Sequence, residues 1–330
     1  MFSRLSRLSC TLILWSLLAC SGNKDKPRET AVEIKVPAFN PDSSFQFASK
    51  QVNFGPRIPN STAHKQAGDY LIATLRKYGA VVTVQSFKAT SPDGQRIDLR
   101  NIIGSFNPKA PKRILLGAHW DTRPYADKDP ENPLATFEGA NDGASGVAIL
   151  LEVARLMHTN PPAVGIDIIL FDGEDWGERE GTSGQLNPPE GYRAWWCLGS
   201  QYWARNKHRP NYTAYYGILL DMVGAPNAHF VQEGTSVEYA SRIVDKVWST
   251  AGRLGYGSMF IRQKEAAITD DHVFINTIAN IPTIDIVHFD PVKGYFGEFH
   301  HTRNDNMANI DRATLRAVGS VVLDVIFRED

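Results

Sequence analysis

Three short, largely apolar runs, RILLGA at 113–118, DIILF at 167–171 and YGILL at 216–220, are each followed within a few residues by a histidine or a carboxylate. Runs of this length are strands. A strand that is apolar on both sides is covered on both faces, the condition of a parallel sheet packed between helices. Such sheets bind ligands in the crevice beyond the carboxyl ends of their strands. His119 and Asp121 follow the first run, Glu174 and Asp175 the second, and Asp221 the third, while Asp142 in EGANDGASG and His301 in FHHTRNDN complete the set. Carboxylates and imidazoles delivered repeatedly to one sheet edge point to a metal centre, zinc by ligand type, and to hydrolase-like chemistry.

Between these runs the apolar period changes from strand to helix. SGVAILLEVARLM at 145–157 has helical spacing, and a helix over 62–78 places Ala67, Tyr70, Leu71 and Leu75 on one face. Residues 237–254 and 312–326 predict two further helices, 81–87 alternates as a strand, and 281–287 predicts another. The order αβ…βαβ…βα…βα predicts an α/β fold: a three-layer α/β/α sandwich around a mostly parallel, mixed central sheet.

The amino terminus reads as an export signal. Arg4 and Arg7 precede an apolar run from Thr11 to Ala19 that is too short to span a bilayer. Leu17-Leu18-Ala19-Cys20, followed by Ser21 and Gly22, resembles a bacterial lipobox, so 1–19 is expected to be removed and Cys20 lipidated. Residues 20–41, polar with charges and prolines, are expected to form a tether to a single catalytic domain over 42–330. Loss of 1–19 leaves 33 basic against 36 acidic residues, a net charge of −3, and no basic surplus for a nucleic-acid partner. Cys197 alone then remains as a free thiol, and among its aromatic neighbours it is expected to be buried and structural.

Taken singly, several residues have ordinary explanations. Asp142 is expected to help cap the following helix, Asp172 to form a turn, and His158 and His288 to be structural, while His300 competes with His301 as a ligand. GANDGASG at 139–146 lacks dinucleotide-binding spacing. The Gly- and Pro-bearing stretch at 177–193 is a long loop of the kind that walls a pocket.

As an ordered set, HWDT, GANDGASGVAILLEVAR, ILFDGEDWG, LLDMVGAPN, DDHVFI, IPTIDIV and HHTRNDN resemble the zinc-exopeptidase superfamily of bacterial aminopeptidases, and within it the glutaminyl cyclases, from about Asn53 onward. The resemblance implies a phosphorylase/hydrolase-like zinc-exopeptidase fold. In aminopeptidases the positions matching His119, Asp142, Asp175, Asp221 and His301 hold two zinc ions. In cyclases Asp142, Asp175 and His301 match the ligands of one zinc, Glu174 matches the general base, and Asp221 and Asp270 match an acidic hydrogen-bonded pair. LLDMVGAPN and the DDH at 270–272 resemble the cyclase form. The chain departs from the pattern in three places: Asp175 stands where Glu is common, Ala118 precedes His119 where animal cyclases have a disulfide Cys, and His300 replaces a Trp before the last ligand. The aromatic wall must then come from among Trp176, Trp195, Trp196, Tyr295, Phe296 and Phe299.

The resemblance therefore implies a zinc-dependent glutaminyl-peptide cyclotransferase that converts N-terminal glutamine of peptides or exported proteins to pyroglutamate with release of ammonia. Its catalytic residues are Glu174, Asp221 and Asp270, and its metal ligands Asp142, Asp175 and His301. His119 and Asp121 would support the ligands or mark a vestigial second metal site. The alternatives are a two-zinc aminopeptidase and a non-catalytic lipid-anchored binding protein. The expected setting is a monomeric lipoprotein on the periplasmic side of a membrane, touching the bilayer only through Cys20.

Overall fold

The computed structural model describes residues 35–329 except 180, 183, 185 and 186. The signal, Cys20 and most of the expected tether lie outside the described residues. At the tether's end, Phe39 is buried and Val36 packs against the main core. Asn40 then caps α1 (Pro41–Val52) by accepting from the backbone N–H groups of Asp42 and Ser43.

Helix α2 (Thr62–Lys77) leads into the antiparallel pair β1 (Val81–Thr90) and β2 (Arg96–Phe106). Then come β3 (Arg113–His119), α3 (Ala144–Thr159), β4 (Gly165–Phe171), α4 (Leu198–Arg205) and β5 (Tyr216–Asp221). The chain closes with β6 (His229–Gln232), α5 (Gly234–Arg253), β7 (Phe260–Lys264), α6 (Asp271–Phe274), β8 (Thr283–Asp290), β9 (Gly294–Tyr295) and α7 (Arg312–Phe327).

The strands form one sheet in the order β1-β2-β4-β3-β5-β8-β6-β7, with β9 beside β8. Its centre, β4-β3-β5-β8, is parallel. β2 joins antiparallel on one side and β6 on the other, which makes the sheet mixed as expected. Successive strand residues face opposite layers. Ile114, Leu116, Ile168, Leu170, Ile218 and Leu220 pack in the larger cluster with residues of α3, α5 and α7. Leu115, Ile169, Phe171 and Leu219 pack on the other side with Trp203 of α4 and Ile275.

Charge enters this apolar sheet at the amino ends of β3 and β4. There Arg113 donates to both oxygens of Asp167, at 2.6 and 2.7 Å, and Ser105 and the Tyr212 hydroxyl also donate to Asp167. At the opposite ends lies the crevice. The chain leaves β3 to form β4 on one side of it and later returns to form β5 on the other. The strand order thus reverses beside the carboxyl end of β3, the place where an open α/β sheet forms a cleft.

Candidate metal centre and active site

His119 is the last residue of β3 and Asp221 the last of the adjacent parallel β5. Strand pairing therefore sets their side chains together: His119 Nε2 lies 3.3 Å from Asp221 Oδ1 and 3.0 Å from Asp142 Oδ1. Asp142 sits in the turn before α3, and its side chain does not cap that helix. The cap position is Gly143, at φ +83°, without a side-chain hydrogen bond. A side chain at Gly143 would run into the Asp121 carbonyl and the His119 ring. Asp305 holds the turn by accepting from the backbone N–H groups of Asn141 and Asp142.

Asp121 fastens the loop after β4. Its two oxygens accept from the backbone N–H groups of Glu174 and Asp175, at 3.1 and 3.2 Å, and its Oδ1 lies 3.5 Å from His119 Nδ1. Buried Arg123 donates its backbone N–H to Asp175 Oδ2 and its guanidinium to the Asp175 carbonyl. That leaves Asp175 Oδ1 directed at His301 Nε2, 2.9 Å away. His301 is not at a strand end. It lies in a turn beyond β9, at φ +55°, with Asp142 Oδ2 at 3.6 Å from Nε2 and Asp127 Oδ1 at 3.6 Å from Nδ1.

These donors fit a zinc ion. Tetrahedral bonds of about 2.0–2.1 Å put neighbouring donor atoms roughly 3.3 Å apart. The contacts of His301 Nε2 with Asp175 and Asp142, at 2.9 and 3.6 Å, bracket that spacing. Asp142 Oδ2 is buried and, among the described residues, receives no hydrogen bond. Asp142, Asp175 and His301 are therefore suited to hold the ion, and the Asp127 carboxylate, bound to Arg123, stands 3.6 Å behind the imidazole. His119, Asp142 and Asp221 make a second buried group of similar spacing, with Asp221 Oδ1 likewise receiving no hydrogen bond. His300 competes less well, since its Nδ1 is 2.8 Å from Lys128 Nζ.

A cavity of about 260 Å³ opens on these groups, lined by Asp142, Glu174, Asp175, Asp221, Asp270 and His301 among others. Of the aromatic candidates, Trp196 and Phe296 line it. Trp196 lies parallel to His301, with interplanar angle 5° and centroids 6.1 Å apart, and the Arg123 guanidinium carbon lies 4.8 Å from the centre of the Trp196 ring. Gly177 makes room for that ring, because a Cβ there would stand 1.9 Å from it. Trp176 packs instead with Phe87 and Leu99, and Tyr295 packs edge-on against Phe289. The loop expected to wall the pocket contributes Glu178.

Burial raises the Glu174 carboxyl well above the ordinary range, opposed by His119 and reinforced by the charges of Asp270 and Asp175. Asp221 is pushed up to about 7 by burial, with His119 opposing and Asp270 adding to the shift. Asp142 is held low: burial works against its charge, but His119 and His301 outweigh it.

Asp270 lines the cavity, as the sequence suggests, and one oxygen each of Asp270 and Asp285 and a His272 ring nitrogen lie within 4.8 Å of one another. Burial and the Asp270 charge drive the Asp285 carboxyl well upward. Asp285 reads in sequence as an interior position of the TIDIV strand, and nothing local marks it. Asp172, expected in a turn, is instead buried and bound to His64 and the Arg100 N–H. Arg123, Asp127 and Asp305 were also not singled out by the sequence, although Arg123 follows HWDT directly and Asp305 lies within HHTRNDN.

The chain is similar to known proteins over most of its length. Residues 101–326 match the model of peptidase family M28. A glutaminyl cyclase from Bacteroides thetaiotaomicron, crystallised with N-acetylhistamine, is 49% identical, with TM-score 0.85 over 90% of this chain and 100% of its own. A Zn-dependent exopeptidase from Parabacteroides distasonis is 50% identical, with TM-score 0.85 over 89% of this chain and 100% of its own. The glutaminyl-peptide cyclotransferase of Drosophila melanogaster is 26% identical over 283 residues, 78% of this chain and 73% of that protein. With two thirds of its length matching the family model and its donors converging at the sheet edge, the chain belongs to peptidase family M28.

Proposed function

We propose that this chain is a zinc-dependent glutaminyl-peptide cyclotransferase, closing N-terminal glutamine to pyroglutamate with loss of ammonia. The observation that carries this is Glu174 and Asp270 on one small cavity beside the donor set, together with similarity to a glutaminyl cyclase along nearly the whole domain. About 260 Å³ is below the usual range for drug-sized ligands and suits one residue's side chain.

In the reaction the α-amine nitrogen bonds to the γ-carbonyl carbon, and the bond from that carbon to the amide nitrogen breaks. Asp142, Asp175 and His301 would hold the zinc, which when bound would supply Lewis-acid polarisation of the γ-carbonyl. Glu174 takes the proton from the attacking amine and delivers it to the departing ammonia, a task suited to a carboxylate whose affinity for protons is raised by burial. Asp221 and Asp270, both on the cavity, would accept hydrogens from the leaving nitrogen. Trp196 and Phe296 exclude water and fold the glutamine into its reactive conformer.

The second reading is a two-zinc aminopeptidase, favoured by the intact His119, Asp142 and Asp221 group. Mass spectrometry of peptides bearing N-terminal Gln, Leu or Ala, with zinc counted per chain, separates the two. Ammonia loss without shortening, at one zinc per chain, is expected; shortened peptides with two zincs would refute the cyclase.

No helix among the described residues is long and apolar enough to cross a membrane. The sequence pattern around Cys20 supports an exported, lipid-anchored protein on the periplasmic side, where peptides or exported proteins would be its substrates. Cys20→Ala is expected to move the protein from the membrane fraction to the soluble one, and an unchanged membrane fraction would refute the anchor.

A further inference from the structure

Cys197 does more than fill space. It is fully buried, and its thiol donates to Glu174 Oε1 at 3.1 Å. Its backbone N–H donates to the Glu174 carbonyl at 2.9 Å, and the next N–H, of Leu198, donates to the Gly173 carbonyl at 3.0 Å. The base is thus gripped at both its main chain and its side chain by one residue.

The gripping segment is itself fixed. The Gln201 side-chain amide donates to the carbonyls of Ala194 and Trp196, at 3.0 and 2.7 Å. Cys197 is held at φ +58°, in the left-handed region that a residue with a Cβ rarely enters. Such a conformation persists where its surroundings impose it, and it clusters at functional sites. Trp196, one residue earlier, lies parallel to the metal-binding His301. Two consecutive residues therefore bear on the imidazole ligand and on the base.

We propose that Cys197 is a positioning residue for Glu174. The thiol occupies Oε1 and fixes the carboxylate rotamer, so that Oε2 is the oxygen presented to the substrate's protons. One oxygen of Glu174, Cys197 Sγ and one oxygen of Asp270 lie within 4.8 Å of one another, so a carboxylate released from the thiol would swing against the Asp270 charge. The inference rests on Glu174 as the proton-moving group, whichever peptide bond or amide is the substrate.

The test compares Cys197→Ala, Cys197→Ser and Glu174→Gln chains, loaded with zinc. Loss of one hydrogen bond to a charged group is expected to lower kcat of the alanine chain about ten- to a hundredfold, with KM, zinc content and thermal midpoint near the parent's. The serine hydroxyl, which also donates, is expected to restore most of the loss. If the alanine chain does not fold, Cys197→Gly, which suits the positive φ, lacks the donor and carries the same expectation. An alanine or glycine chain with kcat within about twofold of the parent overturns the inference, as does a folded serine chain no better than alanine. Activity retained by Glu174→Gln overturns the base assignment and this inference with it, whereas an inactive Gln chain beside an unimpaired Ala chain overturns this inference alone.

Discussion

Replacing Glu174 by Gln isolates proton transfer from the rest of the site. The change keeps the shape of the side chain and both backbone bonds of residue 174, its N–H to the Asp121 carboxylate and its carbonyl from the Cys197 N–H, neither of which uses the residue 174 side chain. The donors suited to zinc, Asp142, Asp175 and His301, are other residues, so zinc content is expected to match the parent. What is lost is a buried carboxylate able to accept and return a proton. General acid–base catalysis contributes about 10²–10⁴ in rate, which at about 1.36 kcal/mol per factor of ten is roughly 3–5 kcal/mol of the barrier. A neutral amide also removes a charge that burial opposes, so the thermal midpoint is expected to stay level or rise. The assay is ammonia release from a peptide with N-terminal Gln, with zinc measured on the same sample. Less than about tenfold loss of kcat, or zinc loss parallel to activity loss, would show that Glu174 is not the base.

At the far side of the sheet, Asp167→Ala leaves Arg113 buried without its carboxylate and is expected to cost about 3–5 kcal/mol, read from the denaturant midpoint; a cost under about 1 kcal/mol would refute the pair's role. Glu233 supplies a pH test. Burial opposes its charge, but His272 and the N–H groups of Ser236 and Thr235 outweigh that and hold it at about 2, below its ordinary 4.5. A depressed carboxylate adds stability that is complete above its unfolded value and is lost as pH falls toward the folded one. The thermal midpoint should therefore drop between about pH 4.5 and 2, and Glu233→Gln should flatten that part of the profile. Identical profiles for parent and variant would refute the assignment.

The parts of the fold legible in sequence were those whose environment is uniform. β3, β4 and β5 are buried on both faces, so their apolar runs stand out without any knowledge of neighbours. α3 is buried nearly all round, yet its helical period is long enough to read. β2 was missed because its first half alternates with exposed residues while its second half is fully buried, so no single period describes it. β6 and β7 are four and five residues long, too short for a pattern, and α1 lies at the edge of a polar stretch whose anchor is Phe39 in the distant core. In the site, the residues at strand ends were recoverable because sheet topology brings strand ends together. Local sequence does not mark Asp285 or Cys197, since what distinguishes each is proximity to a residue in another element, Asp270 and Glu174 respectively. Asp142 misled locally: an aspartate before a helix resembles a cap, whereas the turn here is held by Asp305 and leaves the Asp142 carboxylate for the cavity.

The Arg113–Asp167 pair and the donor cluster occupy opposite ends of the same two strands. β3 runs seven residues from Arg113 to His119, a span of about 20 Å. Stability is thus anchored at one edge of the sheet, while the loops at the other edge gather a buried cluster of carboxylates whose cost the far edge offsets. Substitutions at the two ends share no partner and lie well beyond the distance at which effects couple, so their free energies add. Because the two contributions add, stability gained at the Arg113–Asp167 edge widens the range of substitutions the donor edge can bear before the fold is lost.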